Sequence, residues 1–225
     1  MCFDPMTGKR GIAKTREVEG KTQVYMQLKS GESIILQTFT CSLQGEPEWK
    51  YRKEMDYSLS LDHGWKLKFV ESYPAIEGEF EIDMPSSWTE IAHPAAKINR
   101  GTALYSLELD LPELSADDWI LDLGDVRESA RVRINGQEAG VAWAAPFRLS
   151  IGQLLKSGKN LIEVEVTNLP ANSIAEMDRQ GKQWRIFEDI NMAKLNYEKG
   201  TYGHWETLPS GLNGIVRLIP VKYLF

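Results

Sequence analysis

Segment after segment of this chain alternates apolar and polar residues with a period of two, which limits it to folds built from half-buried strands. Trp65-Lys66-Leu67-Lys68-Phe69 and Phe80-Glu81-Ile82-Asp83-Met84 alternate cleanly. Ala103, Tyr105, Leu107, Leu109 and Leu111 share one face, opposite Ser106, Glu108 and Asp110. Ala130, Val132 and Ile134 oppose Arg131 and Arg133, and Asn135-Gly136 then supplies a two-residue hairpin turn. Phe147, Leu149 and Ile151, and later Ile162, Val164 and Val166, repeat the pattern. One wet and one dry face per strand implies antiparallel sheets stacked face to face. The expected fold is an all-β sandwich with Greek-key or jelly-roll connections.

Helix is scarce. Ser150 is placed to cap one turn through Leu155, stopped by Gly158. Residues 175–191 mix charges with Met177, Trp184 and Phe187, and read as a short helix or a long ordered loop. The first 45 residues differ: after a turn-rich start, residues 24–28 and 33–39 read as two strands joined across Lys29-Ser30-Gly31-Glu32. A hairpin is marginal alone, so it must pack on something. The expected division is 1–45 as a terminal hairpin segment, 46–62 as connector, and 63–225 as the sandwich.

Composition excludes several function classes. The 225 residues carry a net charge of −6, with no long basic run, so a phosphate backbone finds no electrostatic footprint and nucleic acid is not an expected partner. No apolar stretch approaches the ~20 residues that cross a bilayer, and no export leader opens the chain, so no membrane partner is expected. Cys2 and Cys41 are too few for a disulfide scaffold; they pair in an oxidising compartment or stay as idle thiols. His63, His93 and His204 lack zinc-ligand spacing.

Several motifs carry a resemblance. Gly101-Thr102-Ala103-Leu104-Tyr105, Leu121-Asp122-Leu123-Gly124-Asp125-Val126, Val132-Arg133-Ile134-Asn135-Gly136 and Val164-Glu165-Val166-Thr167-Asn168 resemble the galactose-binding-like jelly roll of many glycoside hydrolases, notably the sugar-binding domain of family 2. Ser87-Trp88-Thr89-Glu90, the stretch from Gly140 through Trp143 to Pro146-Phe147-Arg148, and Pro209-Ser210-Gly211-Leu212 are similar to elements of the C-terminal region of family 106 α-L-rhamnosidases. Ala144 and the stretch Asn168-Leu169-Pro170-Ala171-Asn172 depart from that pattern. In such enzymes the catalytic acids sit on a barrel of roughly 250 residues, which this chain has neither the length nor the pattern to form. The resemblance therefore implies a non-catalytic β-sandwich region, a fragment or an accessory piece, with carbohydrate and a separate catalytic barrel as partners. It also implies that residues 1–45, from Phe3-Asp4-Pro5-Met6-Thr7-Gly8 through the hairpin, are the end of a preceding β domain, and that the parent is periplasmic or secreted.

Sugar binding is the sharper expectation. Aromatic faces stack on pyranose C–H patches while amides, arginines and carboxylates bond the hydroxyls. Trp65, Trp119 and Trp88 read as core; Trp143, Trp184 and Trp205 fall in loops near Arg148, Arg185, Asn191 and His204, as stacking candidates or as loop anchors. By resemblance to family 2, Asn99 or Arg100 would reach into a barrel's pocket, set against an ordinary turn asparagine. No cofactor is expected, except that Asp122 and Asp125 around Gly124 offer oxygens for a structural calcium, unless they merely cap their own turn. Glycoside hydrolysis needs two carboxylates ~5–9 Å apart. Glu176 with Asp178, Glu188 with Asp189, and Glu206 are the candidates for the alternative, a self-sufficient small hydrolase or lyase. A protein-interaction module with aromatic loops as hot spots is a third reading.

Overall fold

The computed structural model describes residues 1–41, 43–112, 115–185 and 200–225. The chain opens with short strands: β1 (Cys2–Phe3), β2 (Arg10–Gly11), β3 (Thr15–Val18), β4 (Lys21–Val24) and β5 (Ile35–Leu36). β2, β1 and β5 form one small antiparallel sheet, while β3 and β4 form a separate hairpin. This differs from the hairpin expected between residues 24–28 and 33–39. The two-residue turn forms instead at Glu19-Gly20, where both residues take positive φ, at 50° and 73°. That geometry matches the twist of the flanking strands and pairs Thr15 with Val24. Of the 33–39 stretch, Ile35 and Leu36 pair, and with β1.

The stretch expected as a connector carries β6 (Tyr51–Glu54) and β7 (Leu59–Ser60). Then follow β8 (Trp65–Tyr73), β9 (Glu79–Ile82), β10 (Arg100–Leu111), β11 (Asp118–Asp122), β12 (Val126–Arg127), β13 (Ser129–Ile134), β14 (Gln137–Ala142), β15 (Arg148–Ser150) and β16 (Gly158–Thr167). A helix, α1 (Ala171–Arg179), and the strands β17 (Gly211–Leu212) and β18 (Arg217–Leu224) complete the order. The all-β sandwich is observed: a six-stranded sheet in the order β14-β13-β16-β10-β8-β9 faces a second sheet, β15-β11-β18-β6, with β7 also on β18. Every pairing within these two sheets is antiparallel.

Alternation becomes burial directly. Ala103, Tyr105 and Leu107 of β10, Val132 and Ile134 of β13, and Ile162, Val164 and Val166 of β16 point into one core with Trp65, Trp88, Trp119 and Leu121. The turn at Asn135-Gly136 has φ of 54° and 78°, as the sequence demands. On β11 and β18 the opposite set, Ile120, Ile219 and Val221, forms a second buried cluster. Because Ile120 pairs with Ile219 and alternates with Trp119 and Leu121, this cluster lies on the outer face of the second sheet.

Two local expectations change. After β15 the chain makes a turn at 152–154, not a helical turn capped by Ser150. Asp118 on β11 does the capping, its Oδ1 accepting the Gly152 amide at 2.9 Å, while the Ser150 hydroxyl bonds Oδ2. The α1 helix starts four residues before 175, directly after Pro170, because Asn172, Ser173 and Ala175 bury one face against the sandwich. Residues 186–191 of that expected element lie outside the described residues.

Candidate functional site

The end of the sandwich where β16 leaves and β10 begins is tied by side chains of the motif residues. The Asn168 amide is the hub: Oδ1 accepts the Gly101 amide at 2.9 Å, and Nδ2 donates to the Asn99 carbonyl at 3.0 Å and the Ser210 hydroxyl at 3.1 Å. Ser87 Oγ accepts the Ser210 amide at 2.9 Å, and the Trp88 amide donates to the Ser210 carbonyl at 3.0 Å. Gly211 follows with φ of 98°, packed so closely that a Cβ would meet the Tyr105 hydroxyl and stand 2.9 Å from the Trp88 ring. The Ser-Trp-Thr-Glu and Pro-Ser-Gly-Leu elements therefore meet in space, and what they build is a buried clasp.

From this clasp α1 projects and holds an aromatic platform. Asn172 fixes residue 208 on both sides: Nδ2 donates to the Leu208 carbonyl and Oδ1 accepts its amide, each at 2.8 Å. Arg179 donates to the carbonyls of Gly203 at 2.8 Å and Trp205 at 2.6 Å. Asp178 accepts the Trp184 indole N–H at 2.6 Å and the Tyr202 amide. These bonds bring Trp184 and Tyr202 to 5.8 Å between ring centroids, and Tyr202 and Trp205 to 4.6 Å. Arg185 lies over the Trp184 and Tyr202 rings at 4.8 and 5.4 Å, leaving exposed Trp205 as the open aromatic of the group.

Such a surface can stack on a sugar face; it is poorly suited to proton transfer. The Tyr202 amide, then the Trp184 indole, hold the Asp178 carboxyl below its usual range, so it stays anionic at neutral pH. Glu176 accepts bonds from Gln180 at 2.6 Å and Arg179 at 3.3 Å. Glu206 and His204 are exposed on the same loop. Glu188, Asp189 and Asn191 lie outside the described residues.

The other predicted residues are dispersed. Trp143 stands 59% exposed in the turn between β14 and β15. Arg148 is committed internally: it bonds Asp122 at 2.7 Å and Glu54 at 2.9 Å, with 18% of its side chain exposed, so it is not free to bind a sugar. Asn99 is fully buried, its Nδ2 donating to the Pro74 carbonyl at 2.8 Å, so it presents nothing to a pocket. Arg100 stacks on Tyr73 at 4.4 Å and donates to Ser173 at 3.2 Å.

The residues do not fit a calcium. Asp122 gives one oxygen to the Gly124 amide at 3.0 Å and the other to Arg148, and Asp125 pairs with Arg127 at 2.9 Å. Among the described residues no group of three or more His, Cys, Asp or Glu side chains could hold a metal ion. Cys2 and Cys41 are free thiols, Cys2 buried and shifted up by that burial, Cys41 exposed.

Tyr202, which bridges Trp184 and Trp205, was not among the candidates, and neither was Trp49. The spacing of Tyr202 to Trp205 was visible, but nothing local reveals that α1 folds the loop so that both meet Trp184. No helix among the described residues is long and apolar enough to cross a membrane.

No protein-family model matches the chain. A Formosa agariphila protein named "Putative beta-glucuronidase" is 30% identical over 185 residues, 74% of this chain and 16% of its own length. A solved rhamnosidase from Novosphingobium sp. PP1Y superposes on 97% of this chain with a TM-score of 0.71 and 26% identity, over 20% of the rhamnosidase. A β-D-glucuronidase from Dictyoglomus thermophilum shares the fold over 76% of this chain, at 18% identity and a TM-score of 0.52, over 29% of its length. The chain is thus related to glycoside hydrolases and spans about a fifth or less of the first two.

Proposed function

We propose that this chain is a non-catalytic, galactose-binding-like β-sandwich region of a rhamnosidase-like glycoside hydrolase, which stabilises a catalytic barrel supplied by another part of the protein and holds glycan. One observation carries the reading: nearly the whole chain overlays a single fifth of a rhamnosidase, at a TM-score of 0.71. The clasp of Ser87, Asn168 and Ser210 supports it, since the shared motifs serve packing and leave no reacting group among them. Glu176 and Asp178 of α1 support it too, being engaged by their own helix and loop. Trp205, with Trp184 and Tyr202 beneath it, is the proposed glycan-stacking surface, and an extracytoplasmic parent is the proposed setting.

The test is turnover. The chain alone, incubated with aryl α-L-rhamnoside and aryl β-D-glucuronide, is expected to release no phenol above buffer. Hydrolysis by the chain alone, lost in Glu176→Gln or Glu206→Gln, would replace this reading with a self-sufficient hydrolase.

A further inference from the structure

Away from the aromatic platform, the N-terminal segment and the outer face of the second sheet enclose a cleft with two lobes. Their volumes are about 610 and about 620 Å³, and they share walls formed by Lys9, Trp49, Lys50, Arg52 and Leu149. Each lobe falls in the ~300–1,000 Å³ range of small-molecule sites. Charge pairing inside it is lopsided. Asp4 accepts from the Met6 amide at 2.8 Å and the Thr7 hydroxyl at 2.6 Å. Asp118 is saturated by the amides of Trp119 and Gly152 and the hydroxyls of Ser150 and Tyr223. Glu54 is bound by Arg148 and Lys29. Glu32 accepts the Lys29 amide at 2.8 Å, and Glu48 and Glu138 also line the cleft at exposed positions, Glu138 beside Arg131 and Arg133.

The cations are the groups left over. Lys9, Arg52 and Lys53 have no ion pair or side-chain hydrogen bond among the described residues, and Lys50 rests on the Tyr223 ring at 4.8 Å. Lys9 is exposed as a whole residue, yet lost hydration of its ammonium and the Arg52 and Lys50 charges lower its pKa, against the pull of Asp118 and Asp4. Cations brought together this way repel until an anion joins them. Trp49 and Leu149, with Val141 and Ile120 of the cleft walls, supply apolar surface next to that charge.

We propose that this cleft binds an acidic saccharide, one whose uronate carboxylates or sulfate esters meet Lys9, Lys50 and Arg52 while its ring lies against Trp49. The combination decides the class: an inorganic anion would leave the apolar walls and most of the volume unused, and a neutral sugar would leave the cations unpaired. The proposal rests on the carbohydrate-active reading above.

The experiment is calorimetric titration of the whole chain with an oligogalacturonate, a heparin-derived oligosaccharide, a neutral oligosaccharide of equal length, and inorganic sulfate. At least one acidic oligosaccharide is expected to bind and the neutral one to bind at least tenfold more weakly, with affinity falling as salt rises. Lys9→Ala and Lys50→Ala, both at exposed positions, should each weaken it about tenfold with unchanged melting temperature, the loss of one charge-assisted bond. Lys53→Glu should weaken it further, and Lys66→Ala, at an exposed position outside the cleft, should leave it unchanged. Equal binding of the neutral glycan, equal binding of inorganic sulfate, absence of binding, or insensitivity to Lys9→Ala and Lys50→Ala would each overturn the cleft. Acidic-glycan binding lost in Trp205→Ala but kept in Lys9→Ala and Lys50→Ala would overturn the cleft while leaving the proposed function standing; turnover by the isolated chain would sink that function independently.

Discussion

The N-terminal segment and the sandwich are both β structure, held in opposite ways. In the sandwich, β10 buries Ala103, Tyr105 and Leu107 on one face, and ten residues of the same strand pair with β16. In the β3–β4 hairpin every residue is exposed. The hairpin's neighbours include exposed Tyr25, Leu28, Ile35, Leu36 and Phe39. What attaches this segment is a set of point anchors. Tyr51 of β6, 3% exposed, accepts the Lys14 amide and donates to the Tyr25 carbonyl, each at 2.9 Å, with its ring against Tyr25 and Phe225. Gly11 lets the chain pass so close to Trp49 that a Cβ would sit 2.7 Å from its amide nitrogen. Continuous burial makes a cooperative core; point anchors make an attached flap, expected to open at lower free energy.

The largest test of that contrast is Trp65→Ala. Trp65 is 1% exposed and donates its indole N–H to the Leu61 carbonyl at 2.7 Å. Its loss should cost about 3–5 kcal/mol in denaturant unfolding and shift the whole molecule. Acid should act next, and locally. Burial raises the Glu54 carboxyl, but hydrogen bonds and charges from Lys29 and Arg148 outweigh it and leave its pKa lowered. A depressed folded pKa means the contribution is present above the unfolded carboxylate value of about 4.3 and is lost as pH falls below it, through the folded value. Hydrogen exchange around residue 29 should therefore quicken below about pH 4. Glu54→Gln should abolish that pH dependence.

Tyr51→Phe keeps the ring and removes both hydroxyl bonds to the segment. It should cost about 1–2 kcal/mol locally, seen as faster exchange of the Lys14 amide, with little change in global unfolding. Global unfolding shifting as far as in Trp65→Ala would erase the distinction between flap and core. Trp143→Ala should do least: a 59% exposed side chain in a turn is expected to change stability by no more than about 0.5 kcal/mol.

The same contrast explains how much could be read from the residues. Trp65 and Trp119 were legible as core, because alternation and burial are one signal seen twice, whereas Trp88 was placed there by the resemblance alone. The N-terminal pairing was not, since Glu19 carries no turn signature and neither hairpin strand has a dry side to advertise. Among the site candidates, Trp184 and Trp205 come together, but through Tyr202 and α1, which no local pattern announced. Arg148 and Asn99 look available in the chain and are withdrawn in the fold, one held between two carboxylates and the other fully buried with its amide on the Pro74 carbonyl.

Period two on its own settled the class of architecture, because a strand with one apolar face has to lay it against another sheet. Which polar groups remain free was decided by tertiary packing, because a donor's partner is set by distances between residues remote in the chain. Lys9 and Arg52 illustrate this: in sequence they are two cations among many, and in space they share walls of one cleft in which Asp4, Asp118 and Glu54 are already engaged by other groups.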